Sequence, residues 1–469
     1  MTYMRLLTSI AIRLFAPAVV LASIVSFNVL CPAQGIGPQY SSKSDPKTNR
    51  LRALLMLEQI QEILERKYYD TTFHGIDLKQ RFKQAEDQIK QQEKNWQIFR
   101  TIAQVLIDLN DSHTMFFPPD RLYRVEYGFS SMIIGNRCFV VDVKRGSDAE
   151  KKGVKAGDEI LAYNGLTPSR DTLWVINYLI YSLDPQETLT LKIATADKNE
   201  KEVVVNSKFL SPKERKEEQR KRLADEQSKP YKCQPIDQEL IACKLRTFEV
   251  DKRMIDALMK EVGSSKKLIL DLRGNGGGLV STLNYFAGRF FENDVLAGSE
   301  VRRDSKKELN IEGSGSRAYK GELIVLIDSE SASASEVFAR VIQLEKRGRI
   351  IGDTSSGAVM TSVGYAIRTP YYGREIQNQQ PFQVSFMNVS VGDLVMRDGS
   401  RLERVGVLPD KRIGPTRDAL LGKADPVLAH AAEMLGSKLT TEKAGTFYFL
   451  IPKPEEAADK GEAESEPGT

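Results

Sequence analysis

A cluster of serines lies between an apolar run and an amphipathic run near the middle of the chain. Residues 324–353 read IVLIDSESASASEVFARVIQLEKRGRIIGD, and four serines fall within the seven residues from Ser329 to Ser335. Serine at a helix N-cap satisfies backbone N–H groups that the first turn leaves unpaired. A serine at this junction could instead be a nucleophile, and a nucleophilic hydroxyl needs a neighbouring group that takes its proton.

A glycine-rich turn follows a second apolar run. The sequence KLILDLRGNGGG ends in Gly276–Gly278 after Asp271, Arg273 and Asn275. Glycines allow backbone N–H groups to approach a ligand closely, which suits either an oxyanion hole or a phosphate cradle. A phosphate loop would end in Gly-Lys-Ser/Thr, and Leu279 follows the glycines here, so the phosphate interpretation is weak.

The elements around both motifs alternate between strand and helix. Apolar strand-like runs at 267–271, 322–328 and 349–353 are separated by helix-like runs such as TLNYFAGRFF. Alternation of this kind predicts an α/β domain with helices packed on a sheet. Sites in such sheets form at the carboxyl ends of strands, and both motifs follow a strand.

The stretch between 122 and 200 has short strand-like runs and glycines, and it resembles a PDZ domain. Its turns carry the family pattern at Gly146, Ser147, Ala149, Gly153, Gly157, Asp158, Ile160, Leu161, Asn164 and Gly165. The resemblance implies a groove that accepts an extended peptide, with Tyr127, Gly128 and Phe129 near its carboxylate-binding loop. An unrelated small β domain with the same turns is the alternative.

The order of DLRGNGGG and SASASE resembles the C-terminal processing (tail-specific) peptidases and the tricorn core. The resemblance extends from about 50 to 435 and implies a catalytic domain of the crotonase/ClpP-like fold with an inserted PDZ domain. It makes Ser333 the nucleophile. It also implies an oxyanion hole formed by the backbone N–H of Ala334 and that of Gly276 or Gly277.

The general base does not follow the processing-peptidase pattern. Those enzymes use a lysine after the serine, whereas GDTSSGAVM places Ala358 at that position, and no lysine occurs between Lys346 and Lys411. A Ser–Lys dyad would therefore need a lysine from elsewhere in the fold. A histidine is the natural substitute, because the pKa of imidazole suits proton transfer near neutrality.

Only three histidines are available, His74, His113 and His430. His430 lies in a helix-like run and is expected to be structural, and His74 precedes a turn. His113, in LNDSHTMFFPP, resembles the Ser-His element of the tricorn branch, with Ser112 as the hydroxyl that steadies it. We therefore expect His113 to be the base.

A histidine base works best when its other nitrogen is held by an acceptor. The tricorn-type match for this acid is Glu403, in RLERVGVLPD. Asp353 and Asp398 are the alternatives. The resemblance thus implies a Ser333–His113–Glu403 triad with Ser112 beside it.

The first thirty or so residues carry Arg5, Arg13 and an uncharged apolar run, with Ala33 before the expected cleavage point. These features are typical of a secretory signal, with a retained anchor as the alternative, and Cys31 favours a lipoprotein only weakly. The protein is therefore expected to be secreted or periplasmic. Among the remaining cysteines, Cys233 and Cys243 could pair across a hairpin or remain free, as Cys138 could.

The expected organisation combines these features with composition. Lys and Arg number 67 against 63 acids, a net charge of +4 that gives no reason to expect a nucleic-acid partner. No metal or cofactor motif is visible. The predicted segments are a signal peptide (1–33), a linker (34–45), an N-terminal helical region (46–121), a PDZ-like domain (122–200), a charged linker (201–235), a catalytic α/β domain (236–415), a C-terminal helix (416–438) and an acidic tail without fixed structure (439–469).

The function that these expectations favour is an exported serine endopeptidase that cleaves C-terminal or unstructured segments of polypeptides by acyl-enzyme chemistry. The rival interpretation, prompted by the missing lysine, is an inactive scaffold that binds a peptide or a lipid. An acyl-CoA enzyme is disfavoured by the leader and by the PDZ-like insertion.

Overall fold

The computed structural model describes residues 46–119, 124–211, 213–217, 220, 230–370 and 382–450. The predicted leader, the first linker, most of the charged run and the end of the acidic tail lie outside these ranges. Within them, no helix combines the length and the apolarity needed to cross a bilayer.

The described residues form a series of α-helices. In chain order they are α1 Pro46–Lys67, α2 Leu78–Gln91, α3 Asn95–Ile107, α4 Asp148–Lys151, α5 Leu173–Tyr178, α6 Lys252–Val262, α7 Val280–Ala287, α8 Ala334–Leu344, α9 Arg417–Leu420, α10 Pro426–Met434 and α11 Thr441–Gly445.

The strands form several sheets. In chain order they are β1 Met115–Phe117, β2 Arg124–Glu126, β3 Phe129–Ile134, β4 Arg137–Val143, β5 Glu159–Tyr163, β6 Thr188–Ala194, β7 Glu200–Asn206, β8 Lys208–Leu210, β9 Tyr231–Pro235, β10 Leu240–Leu245, β11 Lys267–Asp271, β12 Val295–Arg302, β13 Lys306–Ile311, β14 Glu322–Ile327, β15 Arg349–Gly352, β16 Thr361–Pro370, β17 Phe382–Met396 and β18 Lys411–Arg412.

The central sheet has six strands in the order β18-β15-β14-β11-β10-β9. The pairs from β10 to β18 are parallel, and only the edge strand β9 is antiparallel to its neighbour. Parallel strands covered on both faces read as continuous apolar runs, which is what ELIVLI and KLILD show. Their carboxyl ends all lie at one edge of the sheet, where the two chemical motifs begin.

Helices cover both faces of this sheet. Alternate side chains of β11 point to opposite sides, so that Leu268 and Leu270 pack beneath α6, α7 and α8 while Ile269 packs beneath α10 and α11. Phe286 and Phe338 stack on the first side with their ring centroids 5.2 Å apart. The sequence-based expectation of an α/β core is therefore confirmed.

A second sheet joins the N-terminal helices to the catalytic region. Strand β1 pairs antiparallel with β17, which also pairs with β12 and β16, and β13 pairs with β12. The buried side chains of α1, α2 and α3 pack on this sheet against Ile367, Met387 and Val389. This packing matters for the site because the chain that leaves α3 carries Asp111, Ser112 and His113 directly into β1.

The small β domain is a five-stranded antiparallel sheet in the order β3-β4-β5-β6-β7, with a separate β2–β8 ribbon. Its core includes the helix α5. Strand β3 is an edge strand, so one of its sides has no partner strand among the described residues.

Several predicted boundaries need correction. The region predicted as linker, 201–235, contains most of β7 and all of β8 and β9, because its apolar residues pair with neighbouring strands. The single helix predicted at 416–438 is two helices, α9 and α10. The predicted tail, 439–469, begins with ordered structure, since Phe447 and Phe449 are buried beneath the central sheet beside α11.

Cys233 and Cys243 face each other on β9 and β10 and form a disulfide, while Cys138 is a buried free thiol. The sequence had left the pairing open.

Candidate active site

The serine cluster joins the end of β14 to the start of α8. The hydroxyls of Ser329, Ser331 and Ser335 donate to the backbone carbonyls of Ile133, Leu272 and Asn275, at 2.6, 2.9 and 2.8 Å respectively. These three serines therefore hold neighbouring segments in place, which leaves Ser333 as the member of the cluster at the N-cap of α8.

Ser333 has an unusual backbone conformation. Its φ is 54° and its ψ is −116°, a region that L-residues rarely adopt. Strain of this kind costs about 1–3 kcal/mol and persists where the surroundings enforce it, which is common at active sites. The approach of Gly277 is part of that enforcement, because a Cβ on Gly277 would lie 2.7 Å from the Cβ of Ser333.

The glycine turn meets the serine turn through Asn275. The backbone carbonyl of Asn275 accepts from the N–H of Ala332 at 3.0 Å, and its side-chain Oδ1 accepts from the N–H of Gly277 at 2.9 Å. The N–H of Gly277 is thus occupied. The N–H groups of Gly276 and Ala334 have no hydrogen-bond partner in the part of the chain that the structure describes, and they remain the candidates for an oxyanion hole.

A hydrogen-bonded chain runs from Glu403 through Ser112 to His113. Oε2 of Glu403 accepts from the hydroxyl of Ser112 at 3.0 Å, and the Ser112 hydroxyl lies 2.6 Å from Nδ1 of His113. Oε1 of Glu403 also accepts from the backbone N–H of Ser112 at 2.7 Å. Glu403 thus reaches the imidazole through Ser112 and makes no direct hydrogen bond with it among the described residues.

Asp111 positions the backbone that carries this chain, and the sequence analysis missed it. Its Oδ1 accepts from the N–H of His113 at 2.9 Å, from the N–H of Thr114 at 2.6 Å and from the hydroxyl of Ser390 at 2.8 Å. Asp111 is only 2% exposed. Asp side chains in turns often accept hydrogen bonds from backbone N–H groups two residues further on, so the spacing of Asp111 and His113 could have predicted this role.

One peptide unit connects the two halves of the site. The carbonyl of Ala358 accepts from the N–H of Ser333 at 3.0 Å, and the N–H of Val359, the other end of that peptide unit, donates to Oε2 of Glu403 at 3.0 Å. Since a peptide unit is short, these bonds hold the Ser333 nitrogen within about 8 Å of the Glu403 carboxylate. We call residues 355–359 the bridging segment.

Within the described residues, neither ring nitrogen of His113 makes a hydrogen bond to the Ser333 hydroxyl. Catalytic hydrogen bonds are often long in enzymes without substrate and shorten when substrate binds. The structure thus joins Ser333 and Glu403 to the two ends of one peptide unit, and His113 is linked to Glu403 through Ser112.

The electrostatics suit a neutral imidazole. Burial lowers the pKa of His113 below its usual value near 6.5, an effect that Asp111 opposes and Arg404 reinforces. Burial also raises the pKa of Glu403, against the hydrogen bonds that it accepts from Val359 and Ser112. At neutral pH His113 is therefore uncharged and able to accept a proton.

The other candidate bases and acids lie elsewhere. His74 bonds to the hydroxyl of Tyr69 at 2.7 Å and to a backbone carbonyl, and His430 lies 3.3 Å from Glu433 on α10. Asp353 binds Arg170 at 3.0 Å, and Asp398 binds Arg340. None of the four contacts His113 in the described ranges.

In the described part of the chain, no lysine takes the position of a base at the nucleophile. The buried Lys244 comes to the carboxyl edge of the sheet, but its ammonium donates to the carbonyl of Arg273 at 2.7 Å and pairs with Asp271 at 3.7 Å. No hydrogen bond joins a lysine to Ser333 among the described residues. They also contain no group of His, Cys, Asp and Glu side chains that could hold a metal ion.

The small β domain lies against the site. The side chain of Arg170 donates to the Asp353 carboxylate and to the carbonyl of Thr354, and the N–H of Gly135 donates to Asp353 at 2.7 Å. The guanidinium of Arg404 lies over the Trp174 ring of α5, 4.6 Å from its centroid. The β domain therefore contacts Asp353 and Thr354, which precede the bridging segment, and Arg404, which follows Glu403.

The first residue of the predicted peptide-binding loop of the β domain is buried. Tyr127 is 2% exposed, and its hydroxyl donates to the carbonyl of Gln186 at 3.0 Å, so its ring supports the fold. Gly128 turns the chain at φ +77° against Ser147, and Phe129 begins the edge strand β3. The backbone at 128–129 is the part of this loop that a peptide could reach.

A hydroxyl on a strained strand-to-helix turn, next to an imidazole–hydroxyl–carboxylate chain, is the arrangement of a serine hydrolase. Residues 242–413 match the family described as Peptidase family S41. Through this segment the chain is similar to the S41 serine peptidases. The matched segment includes Ser333 and Glu403, whereas Ser112 and His113 precede it.

Curated relatives are C-terminal processing peptidases. The chain is 24% identical over 386 residues to "Carboxyl-terminal-processing peptidase 1, chloroplastic" of Arabidopsis thaliana, which covers 77% of this chain and 72% of the relative. It is 38% identical over 96 residues to "Tail-specific protease" of Haemophilus influenzae, 20% of this chain and 13% of that one.

The fold is also shared with solved structures. The crystal structure of mature CPAF is 14% identical, with a TM-score of 0.59, and covers 84% of this chain and 100% of the other. A variant of the same protein gives a TM-score of 0.60 over 87% of this chain and 99% of the other. At such low identity the likeness concerns the mixed α/β fold alone.

Proposed function

We propose that the chain is an exported serine endopeptidase in which Ser333 attacks the peptide carbonyl and His113 acts as the general base. The observation that carries this proposal is the Glu403–Ser112–His113 chain beside the Ser333 turn. It supplies the base that a lysine supplies in the processing peptidases. It also argues against an inactive binder, an interpretation that the missing lysine had prompted.

The hydrogen bonds set the tautomer of the base. Because Glu403 accepts the Ser112 O–H, the Ser112 oxygen accepts Nδ1–H of His113, and Nε2 keeps its lone pair. Nε2 removes the proton from Ser333 as Oγ attacks the carbonyl carbon. The N–H groups of Ala334 and Gly276 stabilise the oxyanion, a contribution of roughly 10²–10³ in rate for each donor.

The remaining steps reuse the same groups. The imidazolium returns its proton to the leaving amine, the C–N bond breaks and the acyl group stays on Ser333. A water molecule, deprotonated by His113, then attacks the ester and releases the new carboxyl terminus. The Ser112–Glu403 pair stabilises the imidazolium in both halves of the reaction.

The substrate is a polypeptide delivered by the β domain, which we assign to the PDZ class. Its support is the motif pattern, the edge strand β3, which has no partner strand on one side among the described residues, and the position of α5 against the site. An extended peptide added to β3 would be directed toward the central sheet, where a crotonase/ClpP-like arrangement presents Ser333. The names of the relatives favour cleavage near carboxyl termini, and the leader favours a secreted or periplasmic location.

The proposal is tested with purified full-length protein and an unstructured polypeptide substrate. Wild-type protein should cleave it, and Ser333→Ala should lose cleavage while its thermal unfolding stays unchanged. Ser329→Ala, from the same cluster, is the matched control and should retain activity. Cleavage by Ser333→Ala at the wild-type rate would end the assignment.

A further inference from the structure

Glu336 lies in the first turn of α8 and is 0% exposed, yet the mechanism above gives it no task. Its Oε1 accepts from the Ser355 hydroxyl at 2.6 Å and from the N–H of Gly357 at 2.7 Å. Its Oε2 accepts from the N–H of Ala358 at 2.9 Å and from that of Ser333 at 3.0 Å. One side chain therefore binds both the nucleophile turn and the bridging segment.

The bridging segment sets the geometry of the site. Its Ala358–Val359 peptide unit bonds Ser333 at one end and Glu403 at the other. Any shift of this segment therefore changes the distance between the nucleophile and the chain that ends in His113. A misplacement of about 1 Å costs roughly 10²-fold in rate at a catalytic site.

We propose that the ionised carboxylate of Glu336 is a positioning residue that holds the bridging segment against the Ser333 turn, so that peptidase activity requires Glu336 to be deprotonated. The inference rests on the proposed function and adds an element of pH regulation to the same site.

The contacts specify the charged form. Three of the four donors to Glu336 are backbone N–H groups, which cannot accept a proton. Only the Ser355 hydroxyl could accept the O–H of a protonated carboxyl, and this would reverse the bond that Ser355 donates. The anion accepts all four bonds, and hydrogen bonds to a charged carboxylate are stronger than those to a neutral carboxyl.

Charged groups on the neighbouring elements are engaged elsewhere. Asp353, before the bridging segment, binds Arg170, and Glu403 lies 3.8 Å from Arg404. No ion pair involves Glu336 in the described part of the chain. Burial raises its pKa to about 7, with the four hydrogen bonds opposing the shift.

The pH profile of activity should therefore have an acid limb that reports the ionisation of Glu336 and not that of the base, His113. Activity is expected to rise with pH through the pKa of Glu336, because the anion is the positioning form. His113, whose pKa is lowered by burial, is already neutral in that range. The midpoint of the acid limb should therefore lie near 7.

The test is the pH dependence of kcat/KM for a quenched unstructured peptide. Glu336→Gln keeps the size of the side chain but turns an amide N–H₂ toward N–H donors, so kcat should fall by roughly 10²-fold. The residual activity should show its midpoint below 6.5, at the pKa of His113. Ser355→Ala removes one donor to the anion, so its midpoint should move above that of the wild type.

Glu345→Gln is the matched control. Glu345 is the C-cap of α8, at the end far from Ser333, and pairs with Arg397 at 2.8 Å, so neither the rate nor the midpoint should change. A merely structural role for Glu336 would lower the rate and leave the midpoint of every variant in place. That result would overturn the inference while the proposed function stands.

A measurement that needs no catalysis distinguishes a failure of the inference about Glu336 from a failure of the proposed peptidase function. Burial also raises the pKa of Glu330 to about 7, so difference infrared spectroscopy of the wild-type chain should show two carboxyl groups that titrate near pH 7, one of which is missing in Glu336→Gln. If the wild type cleaves no peptide at any pH, the proposed function fails and the infrared titration still decides whether Glu336 changes charge. If no carboxyl titrates near pH 7 beyond the one that Glu330→Gln removes, the inference is refuted, including where Glu336→Gln does not fold.

Discussion

Removing the Ser112 hydroxyl is the perturbation that isolates the relay between acid and base. In Ser112→Ala, the imidazole loses its partner 2.6 Å from Nδ1, and Glu403 loses one bond of 3.0 Å. Glu403 keeps the backbone N–H groups of Ser112 and Val359 as donors, so the carboxylate should stay in place. The substitution should therefore affect His113 alone: its tautomer is no longer set by Ser112, and its imidazolium form is less stable.

The magnitude follows from the bonds lost. Hydrogen bonds to charged groups contribute about 1.5–3 kcal/mol each, and the imidazolium exists only during the reaction. A loss of about 3 kcal/mol in the transition state lowers the rate roughly 10²-fold. The loss should appear in kcat with KM almost unchanged, because substrate binding does not use this bond.

The assay is steady-state cleavage of a quenched unstructured peptide by wild type, Ser112→Ala and Ser207→Ala. Ser207 donates one hydroxyl bond to a backbone carbonyl in the β domain and serves as the control. A loss smaller than about threefold in folded Ser112→Ala would refute the relay, since it would assign less than 1 kcal/mol to it.

Three further outcomes follow from the packing and the titrations. Gly277→Ala should cut activity sharply and lower the melting temperature, because its Cβ would meet Ser333 at 2.7 Å and its φ is +97°; normal activity would contradict the close approach. Arg273→Leu leaves Asp271 and Asp425 buried without their guanidinium, so the free energy of unfolding should fall by about 3–5 kcal/mol in denaturant titrations. The imidazole of His113 should titrate below 6.5 by NMR; because its pKa is lowered in the folded state, its contribution to stability is present above the unfolded pKa and is lost as pH falls.

The sequence predicted the elements that follow from local pattern. Apolar runs gave β11 and β14, helical spacing gave α1–α3, and the junctions between strand and helix located Ser333 and the glycine turn. Family resemblance brought together Ser112, His113 and Glu403, and the structure joins these three by hydrogen bonds.

What the sequence could not predict depends on contacts between distant segments. The carboxylate of Glu403 reaches His113 only through Ser112, and the Ala358–Val359 peptide unit joins it to Ser333. The extent of β7 and β9 was missed because charge dominates the intervening run and conceals short pairing strands. Nothing in the sequence singled out Glu336, since its four donors come together only in the folded chain.

The most direct test of the central claim is the rate at which a fluorophosphonate labels the full-length protein, with the modified peptide identified by mass spectrometry. We expect one label, on Ser333, that disappears in Ser333→Ala and forms at least about 10²-fold more slowly in His113→Ala. Labelling of another residue, or an unchanged rate in His113→Ala, would contradict the account.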